Sequence, residues 1–128
     1  MVALEGGSRG FAFASGLAAE DTLLRAVTAP GSHAVIPNDA YGGTYRLFAQ
    51  VAEPWGLGFT VADTSDPDAV RAAIEPGRTS VVWIETPTNP TLNIVDNESY
   101  DVWSVNAEAE YHEEGELVDS LLSIELVG

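Results

Sequence analysis

Three stretches of this chain carry residue types that can do chemistry: Phe13-Ala14-Ser15-Gly16-Leu17, Asn38-Asp39-Ala40-Tyr41-Gly42-Gly43-Thr44 and Glu85-Thr86-Pro87-Thr88-Asn89-Pro90. In the first, Ser and Gly ahead of an apolar-periodic run describe a helix start. The free N–H groups of such a start bind phosphate well. An ordinary capped helix uses the same residues. In the second, Tyr41 offers a ring that can lie on a flat aromatic ligand, although Asn, Asp and Gly also make a plain turn. In the third, two prolines stiffen a loop that would hold Glu85 and Asn89 in fixed positions. A rigid turn ending a strand needs no more than that.

Other chemistries are excluded by residue type. There is no cysteine, so thiol nucleophiles, thiolate metal sites and disulfides are absent. The five basic residues are Arg9, Arg25, Arg46, Arg71 and Arg78, and lysine is missing altogether. No side-chain Schiff base can form on these 128 residues, so no catalytic lysine can be assigned. His33 reads as a strand-edge residue. His112 stands among Glu110, Glu113 and Glu116, where a solvated acidic turn accounts for it, and no metal site is expected. Walker, GxSxG and HExxH motifs are absent.

These stretches need elements to position them. Residues 16–28 have helical spacing at Leu17, Leu23, Leu24 and Val27, with Ser15 as N-cap, Glu20 and Asp21 early, and Pro30-Gly31 as the stop. His33–Ile36 reads as a buried strand closed by Pro37. Residues 43–53 read as a helix with Tyr45, Leu47, Phe48 and Val51 near one side, broken by Gly56 and Gly58. Phe59–Ala62 is a second strand. Asp66-Pro67 opens a helix that runs to about Ile74 and stops at Pro76-Gly77. Ser80–Ile84 is a third strand, continuously apolar, as expected when both faces are covered. The alternation predicts an α/β fold with a largely parallel sheet and flanking helices. Both the Asn38–Thr44 and the Glu85–Pro90 stretches then follow strands, where such sheets place ligands.

The charge divides the chain. Of 20 acids, nine lie in residues 97–128, which hold no base, and the formal net charge is −15. Such a balance argues against nucleic acid or an anionic membrane as partner. The apolar runs are too short to span a bilayer and no secretory segment opens the chain, so a cytoplasmic setting is expected. Residues 1–96 and 97–128 are therefore read as two segments. In the second, Asp101–Tyr111 alternates with period two, a strand pattern. After Gly115, Leu117, Val118, Leu121 and Leu122 suit a short amphipathic helix, although Leu121–Val127 could equally be a strand.

Taken in order, ALEGG (3–7), FAFASGLAAEDTLLRA (11–26), VIPNDAYGGTYRLF (35–48), DTSDPDAVRAAI (63–74) and VWIETPTNPTLNIVD (82–96) resemble the pyridoxal-phosphate-dependent Cys/Met metabolism (trans-sulfuration) family, nearest in look to its gamma-synthase branch. The resemblance covers residues 2–96. It implies part of a fold-type I aminotransferase-like large domain, homo-oligomers, and sulfur-containing amino-acid substrates. It also implies pyridoxal phosphate as cofactor, its phosphate on the backbone N–H groups of Gly16 and Leu17 and its ring under Tyr41. Glu85 and Asn89 would lie nearby, Asn89 close to the phenolic oxygen. The family usually has Met at the position of Leu17. Its Schiff-base lysine has no counterpart here, and residues 97–128 are unlike it. The expectation is an enzyme fragment, not catalytic by itself. The alternative is a rearranged non-catalytic chain whose acidic tail caps the cut sheet.

Overall fold

The computed structural model describes residues 10–95, with strands at 103–113 and 116–126 described by their backbone. Helix α1 spans Gly16–Val27. Ser15 caps it, its hydroxyl accepting from the Ala18 N–H at 3.2 Å. Strand β1 (His33–Pro37) is buried at every position. A bent helical segment follows: α2 (Gly42–Leu47), a π-type turn over Phe48–Ala52, and α3 (Glu53–Trp55). Gly56 ends it at φ 110°, a left-handed conformation that a side chain would strain. Strand β2 (Gly58–Ala62), helix α4 (Pro67–Ala73, capped by Asp66) and strand β3 (Thr79–Thr86) complete the motif-bearing part. Strands β4 (Trp103–Glu113) and β5 (Glu116–Leu126) follow.

The sheet order is β2-β1-β3-β5-β4. Strand β1 pairs in parallel with both β2 and β3. Strand β5 runs antiparallel to β3 from Val81↔Leu126 to Thr86↔Leu121, and β4 closes a hairpin on β5. The three strands of residues 33–86 are parallel, as the pattern predicted, and the acidic segment adds an antiparallel pair.

Alternating residues of β1 and β3 feed two cores. Ala34, Ile36, Val81 and Trp83 face Leu24 of α1 together with Phe48 and Ala52. Val35, Val82 and Ile84 face Val70 of α4 and Val95. The two faces are thus covered by different helices, which is why β3 is apolar without alternation.

Three sequence expectations change. Residues 116–126 form a strand, the alternative read for Leu121–Val127, and not the amphipathic helix. Short apolar runs fit either period, and the ladder offered by the open side of β3 favours the extended form. In the bent segment Phe48 is buried, but Tyr45 and Val51 are exposed, so the inward face runs through Thr44, Phe48 and Ala52. His33 is fully buried in a central strand. The side chain of His112 lies outside the described residues.

Candidate functional site

Strand order places the site. The connection from β1 to β2 runs through α2 and α3 on one face, and that from β2 to β3 through α4 on the other. Past β3, Val95 packs on the α4 face, so the chain leaves the C-terminal ends of the neighbouring strands β1 and β3 toward different faces. Such a point is the usual ligand position in an open α/β sheet. The residues leaving β1 are Asn38–Tyr41. Glu85 and Thr86 end β3.

Glu85 links the two strand ends. Its Oε2 accepts from the Tyr41 backbone N–H at 2.7 Å, and its Oε1 accepts from the Trp83 indole N–H at 3.3 Å. It is buried, so two donors stand in for lost water. Tyr41 is thereby fixed at the start of α2, with its ring 40 % exposed. A Cβ on Gly43 would stand 2.4 Å from the Tyr41 Cε1 and 3.4 Å from the Leu17 Cδ1. Glycine at 43 thus leaves the space in which the ring lies, beside the first turn of α1. The N–H groups of Gly16 and Leu17 belong to that turn, where a helix has no acceptors of its own.

A second carboxylate lies under the same turn. Glu20 of α1 is buried, and its Oε1 accepts from the Thr44 hydroxyl at 3.4 Å. Its Oε2 has no hydrogen-bond partner. Burial and the nearby charge of Glu85 push the Glu20 carboxyl up to about 7, against a smaller lowering by Thr44. At the same strand ends, the Asp39 Oδ2 accepts from the Thr91 hydroxyl at 2.6 Å and the Asn93 side-chain amide at 2.8 Å. Burial raises the Asp39 carboxyl, but the bonds from Thr91, Thr88 and Asn93 outweigh it and hold the group below its ordinary value. Asp39 thus ties the loop after β3 to the turn after β1.

Gly16, Leu17, Tyr41 and Glu85 of the sequence-derived set come together here. Asn89 does not join them by contact: it is exposed, and no described hydrogen bond links it to Tyr41 or Glu85. Sequence reasoning missed Glu20 as a site neighbour. It reads as an early acid favoured by the helix N-terminus, yet no acid stands in the first turn of α1 and Glu20 faces inward. The available signal was spacing, since Glu20 and Leu24 share a face at i, i+4. Among the described residues no group of three or more His, Asp or Glu could hold a metal. No described helix is long and apolar enough to cross a membrane.

A phosphorylated aromatic fits this arrangement. The first turn of α1 offers backbone donors for the phosphate, and the half-exposed Tyr41 ring beside it offers a stacking face. The sequence profile of the "Cys/Met metabolism PLP-dependent enzyme" family matches residues 1–109. The chain belongs to that family. It is 52% identical over 96 residues to a cystathionine gamma-synthase of Mycobacterium bovis, covering 75% of this chain and 24% of that protein. A crystal structure of cystathionine gamma-lyase from Lactobacillus plantarum complexed with L-serine is similar at TM-score 0.70 and 49% identity, covering 73% of this chain and 24% of that one. A crystal structure of metB from Corynebacterium glutamicum is similar at TM-score 0.77 and 36% identity, covering 99% of this chain and 40% of that one. The chain thus spans about a quarter of the length of the curated relatives it matches. The fold is the fold-type I one, in part, and the family is pyridoxal phosphate-dependent. The profile match also runs past residue 96, where the motif-bearing stretches end.

Proposed function

We propose that this chain supplies the phosphate-and-ring part of a pyridoxal phosphate site of cystathionine gamma-synthase-like chemistry. The observation that carries the reading is the 2.7 Å bond from the Tyr41 N–H to Glu85, which fixes an aromatic ring beside the first turn of α1. Gly16 and Leu17 would donate their N–H groups to the phosphate. Tyr41 would stack on the pyridine ring, and Glu85 would hold Tyr41 in place. Asn89 would reach the phenolic oxygen from the loop after β3. The cofactor, when bound, supplies an electron sink for carbanion chemistry on amino acids. In this family the cofactor is tethered through a lysine, and these 128 residues contain none. By themselves they bind and orient without turnover. Sulfur-containing amino-acid substrates, homo-oligomeric partners and a cytoplasmic setting belong to the assembled enzyme under this reading, as does a division at residue 96 between the motif-bearing segment and the acidic one.

The test uses pyridoxine 5′-phosphate, which carries no aldehyde and so reports binding alone. Titration followed by tryptophan and tyrosine fluorescence should give saturable quenching with a Kd of about 0.1–1 mM, corresponding to roughly 4–5.5 kcal/mol. Inorganic phosphate should compete, and Tyr41→Ala should weaken binding by about tenfold. With pyridoxal phosphate and borohydride, mass spectrometry should find no reduced adduct on any side chain. Quenching that is unsaturable, or unchanged in Tyr41→Ala, contradicts the reading.

A second reading is favoured by the antiparallel pairing of β5 with β3 over Val81–Thr86. The acidic segment would cap a sheet edge in a non-catalytic chain. Removal of residues 97–128 should then cause aggregation. A soluble remnant with a cooperative unfolding transition counts against it.

A further inference from the structure

The buried Glu20 plays no part in the binding described above, yet it is the one described side chain left with an unpartnered buried oxygen. We propose that Glu20 is a positioning residue for Tyr41: lying with Glu85 beneath the start of α2, it governs through its own proton whether Glu85, which fixes Tyr41 by its backbone N–H, faces a second negative charge. The proposal rests on the cofactor reading only for what the Tyr41 ring is used for.

Geometry carries it. Glu20 from α1 and Glu85 from β3 both lie under the first residues of α2. One touches the Thr44 hydroxyl at 3.4 Å, the other the Tyr41 N–H at 2.7 Å. Both are buried. No described salt bridge reaches either: Arg25 pairs with Asp21, Arg71 with Asp68 and Arg78 with Glu75. The remaining described arginine, Arg46 of α2, is exposed. Two adjacent carboxylates without a cation do not both ionise readily. Glu85 accepts from two N–H donors, whereas Glu20 has one long hydroxyl contact and an orphan oxygen. Below neutral pH the proton therefore resides on Glu20. An orphan oxygen in a neutral acid costs less than one in a carboxylate. The rise of Glu20 to about 7, caused first by burial and then by Glu85, agrees with this assignment. When Glu20 loses its proton, a second negative charge enters beside Glu85 and the bond that fixes Tyr41 is perturbed.

The test is a pH titration of the Tyr41 amide by nitrogen-15 NMR on the whole chain without ligand. From pH 5.5 to 8.5 its proton shift should follow a sigmoid centred near pH 7. In Glu20→Gln the curve should be flat. In Thr44→Val, which removes a contact favouring the charged form, the midpoint should move to higher pH. A wild-type curve that is flat overturns the proposal, and so does a sigmoid that persists in Glu20→Gln. If Glu20→Gln does not fold, Thr44→Val decides: an unmoved midpoint overturns it. A second arm measures pyridoxine 5′-phosphate affinity at pH 6 and pH 8.5. Wild type should lose at least threefold more affinity across that interval than Glu20→Gln. No binding to either protein, with the Tyr41 amide still titrating through Glu20, supports the positioning role and refutes the cofactor reading. Equal losses in the two proteins overturn the proposal that Glu20 serves the site.

Discussion

The two ends of strands β1 and β3 each bury an ionisable group, and they treat it in opposite ways. At the N-terminal end, His33 is fully satisfied. Its Nδ1 is bonded to the Thr79 hydroxyl at 2.8 Å and its Nε2 to the Thr60 hydroxyl at 3.0 Å. Glu75 and Arg78 stand beside it with opposite charges and pair with each other at 2.6 Å. At the C-terminal end, Glu20 has an orphan oxygen and a like-charged neighbour. The first arrangement locks strands together. The second stores unfavourable electrostatics at the strand ends where such sheets place ligands. Buried polarity alone does not mark a site; unsatisfied buried polarity at the ligand end of the sheet does.

Mutations can sharpen this contrast. The largest effect is expected for His33→Ala, which empties a buried site and takes the imidazole from the Thr60 hydroxyl, while Thr79 keeps the Glu75 N–H. Urea unfolding should show a loss of about 3–4 kcal/mol, with Tyr41 amide titration and ligand quenching unchanged in the folded protein.

Next comes Glu20→Gln, which acts through pH. The Glu20 carboxyl is raised from 4.5 to about 7 in the folded chain. Its contribution is complete below pH 4.5, is lost as pH rises to about 7, and stays lost above. The stability difference between wild type and Glu20→Gln should therefore shift by about 3 kcal/mol between pH 4.5 and 8, in favour of the glutamine variant. His33 behaves in the opposite sense. Burial holds its imidazole below the ordinary value, with Glu75 opposing and Arg78 assisting. Its stabilisation is present above pH 6.5 and lost as pH falls through the lowered value.

Gly43→Ala should cost under about 1 kcal/mol of stability, because the Tyr41 ring it would push is half exposed. Its effect belongs on the ligand, with quenching by pyridoxine 5′-phosphate weakened about fivefold, a loss of roughly 1 kcal/mol. The smallest effect is expected for Asp39→Asn. It keeps the shape but weakens the bonds to Thr91 and Asn93, for a thermal-unfolding change of about 0.5–1 kcal/mol. It should also increase amide exchange in the Thr88–Asn93 loop.

Much of the fold was legible because its local signals agree. Ser15 and Asp66 cap the helices they precede, Gly56 ends the bent segment, and the uninterrupted apolar run of β3 foretold helices on both faces. What escaped depends on tertiary partners. The inward face of the segment from α2 to α3 was misread because its π-type turn shifts the helical phase, turning Val51 outward and Ala52 inward. At residues 116–126 the local pattern left helix and strand open, and a neighbour, the open side of β3, decides for the strand. Glu20 was legible as a helix residue but not as a partner of Glu85, since the two are far apart in sequence and meet only when α1 packs under α2. The resemblance named the motif residues; it did not point to Glu20.

The most direct measurement maps the amides of the nitrogen-15-labelled chain during titration with pyridoxine 5′-phosphate. The account predicts saturable shifts concentrated at Gly16, Leu17 and Tyr41, all with one dissociation constant. Shifts spread evenly over the chain, or absent from the first turn of α1 and from Tyr41 at saturating ligand, would contradict it.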